Sequence, residues 1–73
     1  MAKVSAKTLF GRTVRTLREA RGYSQEELAE RATLHRNYVG SLERGERNVA
    51  IENIVKLARA LSVRPGDLFE DVR

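Results

Sequence analysis

The stretch Ser24-Gln-Glu-Glu-Leu-Ala-Glu-Arg-Ala-Thr-Leu-His-Arg-Asn-Tyr-Val-Gly-Ser-Leu-Glu-Arg-Gly45 decides the fold. Ser24 followed three residues later by Glu27 has the pattern of a capping box, in which hydroxyl and carboxylate satisfy two orphan amides at a helix start. Leu28, Ala29 and Ala32 then give a short helix, expected over about 25–32, a narrow apolar stripe. After a turn at Thr33 and Leu34, a further helix is expected over about 36–44, with His35 at its cap position and Gly45 placed to end it. Val39 and Leu42 face inward on that helix. Asn37, Gly40, Ser41 and Arg44 recur at i, i+3, i+4 and i+7, with Arg36 beside them, so its other face is polar and free of aliphatic bulk.

Outward from this unit the pattern stays helical, with no strand-like alternation and no internal repeat. Phe10, Val14 and Leu17 mark a first helix over about 6–21 that stops at Gly22, with Arg21 complementing the dipole of its last turn. Ile51, Ile54, Val55, Leu57, Ala58 and Leu61 mark another over about 51–61, whose broad apolar face suits the most buried element. Pro65 fits the first position of a last short helix over about 65–69, and Leu68, Phe69 and Val72 complete the apolar set. The expected fold is therefore all-α, a compact bundle of five helices.

Seventy-three residues allow one domain, 1–73, with no second unit to sense a ligand or house catalysis. The chain has no cysteine, so neither a disulfide nor a thiolate-bound metal can support so small a core. Met1 to Lys7 lacks the apolar core of a signal peptide, and no apolar run approaches the roughly 20 residues that span a bilayer. A soluble, cytoplasmic protein is the expectation. The formal charge is +4, and residues 1–21 hold six basic groups, Lys3, Lys7, Arg12, Arg15, Arg18 and Arg21, against the single acid Glu19. The other 52 residues carry eight basic groups against nine acids, so the attraction toward a polyanion is concentrated in the arm and first helix.

The polar face of the 36–44 helix matches the chemistry of a DNA major groove, about 12 Å wide, in which Arg pairs with guanine, Asn with adenine and Ser with several partners. Arg36, Asn37 and Ser41 are the candidate base readers. Gly40 costs up to about 1 kcal/mol of helix propensity, a cost explained by close approach to nucleic acid or to the neighbouring helix. A polar helix face is ordinarily only a solvated one. Three neighbours set this one apart: the helix start at Ser24 and Gln25, whose amides can grip a phosphate, the short turn, and the loop bearing Arg47 and Asn48.

The segments Gln25 to Ala32 and His35 to Gly45 resemble the Cro/phage-repressor-type helix-turn-helix family, and the likeness extends from Phe10-Gly11 to Leu68-Phe69. Arg36 to Asn48 is also similar to the small controller proteins of restriction–modification systems. The resemblance implies a repressor-like fold with the helix-turn-helix at helices 2 and 3. It implies a sequence-specific regulator of transcription that binds double-stranded DNA as a homodimer on a roughly palindromic, autoregulatory operator. Carried onto this chain, it places Ser24, Gln25, Arg47 and Asn48 on the DNA backbone. Tyr38 becomes either a phosphate or sugar contact or a ring packed under its helix, and Arg44 either a phosphate contact or a helix C-terminal charge. The family pairs the positions of Arg18 and Glu43 in a buried ion pair. Ala50, Val49 and Arg64 depart from the family's usual caps, leaving Asn48 as the substitute cap for the fourth helix.

Val63, Leu68, Phe69 and Val72 are expected either at a two-fold interface or closing the chain's own core. Catalysis is not expected, since the one histidine, His35, suits a cap or a phosphate neighbour better than a base or a metal ligand. No cofactor, metal, membrane or small-molecule ligand is implied. An antitoxin that grips a protein partner and also binds its operator is the rival reading. RNA is disfavoured because Phe10, Tyr23 and Phe69 read as core rather than stacking platforms.

Overall fold

The computed structural model describes residues 4–72, so Lys3 of the basic arm lies outside it. Ser5 caps α1, Ala6–Ala20, its Oγ accepting from the Thr8 N–H at 3.2 Å. Gly22, at φ +74°, turns the chain toward α2, Gln25–Ala32. There the Ser24 Oγ accepts from the Glu27 N–H at 3.0 Å, but the Glu27 carboxylate turns forward to Arg31 Nε at 3.1 Å. Only the serine half of the expected capping box is therefore made. Thr33, at φ 58°, forms the left-handed turn into α3, Arg36–Glu43, which His35 caps by accepting the Asn37 N–H on Nδ1 at 3.1 Å.

α4 spans Ile51–Leu61 with Ala50 at its N-cap and no side-chain capping bond, so Asn48 does not act as the substitute expected of it. The last element corrects the helix count. Pro65–Phe69 is a 3₁₀ turn rather than a fifth α-helix, begun by the Arg64 N–H bonding to Asp67 Oδ2 at 2.9 Å. Five residues headed by a proline supply too few amides for a sustained i to i−4 ladder. Among the described residues the chain thus has four α-helices and no strand.

α1 packs on α3, α2 on both α3 and α4, and the 3₁₀ turn closes over α1 and α4. Val14, Leu28, Val39, Leu42, Leu57, Leu61 and Leu68 are completely enclosed, each contributing about 1.5–3 kcal/mol of apolar burial. α4 is less buried than its composition suggested: Leu57, Ala58 and Leu61 face the core, Ile54 and Val55 are half-buried, and Ile51 is 74 % exposed. Leu68 lies wholly inside the core and is removed from the interface candidates. Phe69 is 41 % exposed despite a tilted contact with Phe10 at 5.0 Å, while Val63 and Val72 are half-buried. Thr13 Oγ1 to Asp71 Oδ2, 3.3 Å, ties the C-terminal segment to α1.

The end of α3 is clamped against α1. A Cβ on Gly11 would lie 2.3 Å from the Leu42 carbonyl oxygen, so the two helices cross backbone on backbone only because that residue is glycine. Gly45, at φ +77°, sits equally tightly against Thr8, whose Oγ1 would lie 2.5 Å from an added Cβ.

Candidate nucleic-acid interface

Arg18 and Glu43 form the polar centre of this clamp. Arg18 Nε donates to Glu43 Oε2 at 2.7 Å and its Nη2 to Oε1 at 3.1 Å, with the side chains only 10 % and 3 % exposed. Arg18 Nη1 also donates to the Tyr23 carbonyl at 2.8 Å, and Gln25 Nε2 donates to Glu43 Oε1 at 3.0 Å. The hydrogen bonds to Glu43 push the Arg18 guanidinium further up, burial opposing, so it stays charged throughout the accessible pH range. Each charge thus keeps hydrogen-bonding partners out of water, as buried ions require.

Gln25 carries this network to the surface. Its amide lies beside Gly40, whose added Cβ would approach Gln25 Oε1 and Arg44 Nη1 to 3.4 Å, ordinary van der Waals contact. Gly40 is therefore not demanded by helix packing. Ser24, Gln25, Glu26, Arg36, Asn37, Gly40 and Arg44, floored by Arg18, line one shallow cleft where the start of α2 meets the exposed side of α3. Arg36 and Asn37 are both exposed at the N-terminal end of α3, the end that His35 caps.

Ser41 departs from the role expected of it. It is 6 % exposed, its hydroxyl donating to the Tyr38 carbonyl at 2.9 Å and accepting from Arg47 Nε at 2.9 Å. A hydroxyl so enclosed and doubly bonded is not free to read a base; it holds Arg47. The Arg47 guanidinium also lies 5.6 Å from the centre of the Tyr38 ring, whose hydroxyl accepts from Asn53 Nδ2 at 3.1 Å. Tyr38 accordingly packs half-buried under its helix and serves as a pad for Arg47. Asn48 is exposed in the same loop.

Two acidic residues absent from the candidate set bond directly to its arginines. Arg36 Nη1 donates to Glu26 Oε2 at 3.0 Å, across ten residues and two helices. Arg44 is held on two nitrogens, Nε to Glu46 Oε2 at 3.0 Å and Nη2 to Oε1 at 3.1 Å. The hydrogen bond from Arg44 holds the Glu46 carboxyl below the usual carboxylate range and raises the Arg44 guanidinium in return. The Glu26 partner is invisible to helix-spacing rules because it depends on how α2 and α3 are juxtaposed. The Glu46 partner depends on the turn at Gly45.

A helix that exposes Arg36 and Asn37 at its N-terminal end, steadied at the other end by a buried ion pair and flanked by a second helix N-terminus and a basic loop, is an arrangement suited to a DNA-binding regulator. Residues 14–68 match the helix-turn-helix family model, and the chain belongs to that family. It is 48 % identical over 63 residues to the control protein C.BamHI of Bacillus amyloliquefaciens, covering 85 % of this chain and 78 % of that protein. It is 46 % identical over 56 residues to the control protein C.SmaI of Serratia marcescens, covering 77 % of this chain and 67 % of that one. The structure of the restriction–modification controller protein C.AhdI from Aeromonas hydrophila superposes with a TM-score of 0.85 at 52 % identity, covering 86 % of this chain and 96 % of that chain. The chain is thus a DNA-binding transcription regulator of the controller-protein type. No helix among the described residues is long and apolar enough to cross a membrane.

Proposed function

We propose that the chain is one domain in which α2 and α3 form the helix-turn-helix, α3 entering the major groove of double-stranded DNA with Arg36 and Asn37 toward the base edges. The observation that carries this reading is the exposed corner of Arg36 and Asn37, which shares one cleft with Ser24 and Gln25, while Arg47 of the following loop returns onto the same helix at Ser41 and Tyr38. Ser24, Gln25, Arg47 and Asn48 hold the DNA backbone, Arg47 as a charge whose partners, Ser41 and Tyr38, are uncharged. Arg44 contributes less because Glu46 neutralises it.

Occupancy follows protein concentration. Two copies pair through the exposed Phe69 and the half-buried Val63 and Val72, and read a roughly palindromic operator whose half-sites lie about 34–36 Å apart. The likeness to control proteins supports autoregulation of a small operon, in the cytoplasm, without a small-molecule effector. Selection of bound DNA from a random pool tests this directly: enrichment of a two-fold site is expected, and failure to enrich any site would overturn it.

A further inference from the structure

The exposed arginines on α3 and in the loop after it differ in which edge of the guanidinium is left unoccupied. Arg44 spends Nε and Nη2, the two nitrogens of one fork, on Glu46. Arg47 spends Nε on Ser41. Arg36 gives only Nη1 to Glu26, leaving its Nε and Nη2 without a hydrogen bond among the described residues. Those two N–H groups are parallel and coplanar, the geometry that pairs with the O6 and N7 of guanine. Glu26 stands on α2, so the bond also ties the guanidinium to a second rigid element rather than to its own helix.

We infer that Glu26 is a positioning residue for base recognition: by holding Nη1 it presents the Nε–Nη2 fork of Arg36 to a base and keeps that side chain off the phosphates. This rests on the reading of Arg36 as the base-contacting arginine. A long, flexible arginine without such a tether can neutralise phosphates in any register, which strengthens binding to all DNA and weakens discrimination. A carboxylate close to the duplex is also repelled by phosphates, so its presence penalises loose, unaligned complexes in which Arg36 does not reach a base. The pair itself is 65 % and 71 % exposed, and adds little to the stability of the free protein. Its consequence therefore falls on recognition.

The test is selection from a random DNA pool with the full chain, run in parallel for wild type, Glu26→Ala, Glu26→Lys, Glu26→Gln, Glu46→Gln and Arg36→Ala, with thermal melts of each. Glu26→Ala is expected to lose preference at one base position per half-site, roughly tenfold, as expected when a bidentate base contact is lost. Its binding to random DNA should strengthen, with a log–log salt slope steeper by about one, because the freed Arg36 now neutralises a phosphate. Glu26→Lys, which repels the guanidinium, reaches the same broadening by a second route. Glu26→Gln keeps an acceptor for Nη1 and should retain most of the preference. Glu46→Gln removes an equal charge from the same face and should leave the preference intact. Undiminished preference in Glu26→Ala and Glu26→Lys, or equal erosion in Glu46→Gln, would overturn the inference. If Arg36→Ala itself selects the wild-type site, the base-reading role of Arg36 fails and the inference falls with it. If Arg36→Ala broadens the site while the Glu26 variants do not, the inference alone falls.

Discussion

Replacing Arg18 with methionine removes one charge of the α1–α3 clamp while keeping much of the buried stem. Glu43, only 3 % exposed, would then retain the Gln25 amide at 3.0 Å as its remaining side-chain donor, and the Tyr23 carbonyl would lose its bond from Arg18. Breaking a buried ion pair from one side costs about 3–5 kcal/mol. The retained amide points to the lower end of that range. At about 0.05–0.15 kcal/mol per residue, a chain of 73 residues has a total stability of about 4–11 kcal/mol, so the substitution removes a large share of it. For a domain of this size a loss of 3 kcal/mol lowers Tm by roughly 12–24 °C. Urea melts at 25 °C, followed by far-ultraviolet circular dichroism, measure the change in midpoint at constant slope. The double substitution Arg18→Met with Glu43→Leu should recover most of the loss, because no charge is then left buried alone. A single variant within about 1 kcal/mol of wild type would refute the reasoning.

Arg36→Ala should weaken binding to the selected site by about 1–3 kcal/mol, with relaxed preference at one position, in gel-shift titrations. Arg47→Ala should weaken all sequences alike and reduce the salt slope by about one; identical behaviour of the two variants would contradict the division between reading and anchoring. Gly40→Ala should stabilise the fold by up to about 1 kcal/mol in a denaturant melt, since a Cβ there meets nothing closer than 3.4 Å, while reducing operator affinity if α3 seats deeply. Glu46 should titrate below an ordinary glutamate by nuclear magnetic resonance and move upward in Arg44→Gln, which removes the largest cause of the shift. Its contribution to stability is present above the ordinary carboxylate pKa and lost as pH falls through the lowered one, and solvent screening at the surface keeps it small.

Local signals made much of the fold legible. The serines at 5 and 24, the glycines at 22 and 45 and the 3.6-residue spacing of Val39 and Leu42 act over one or two turns, which is the range a linear pattern records. The ion pair of Arg18 and Glu43 was readable only through resemblance, because the two residues lie 25 positions apart. The turn at Pro65 looked helical since an apolar pair three or four residues later satisfies either geometry. Ser41 misled for a related reason: helical spacing put it on the polar stripe, but the wheel ignores the loop that returns Arg47 onto it. Glu26 and Glu46 carry no local signal, because their partners are set by tertiary placement. Ile51 and Phe69 looked like core residues because periodicity shows which side is apolar without showing how much is covered.

The constraints on α3 are graded along its length. Its C-terminal turn is bound to α1 through Gly11, Arg18, Glu43 and Gly45, whereas Arg36 and Asn37 at the opposite end are exposed and lie outside the core. Mutational tolerance should follow the same gradient. A library randomised at 36, 37 and 26 would sample new target sequences on an intact scaffold, whereas one extended to 18 or 43 would consist largely of chains that no longer fold.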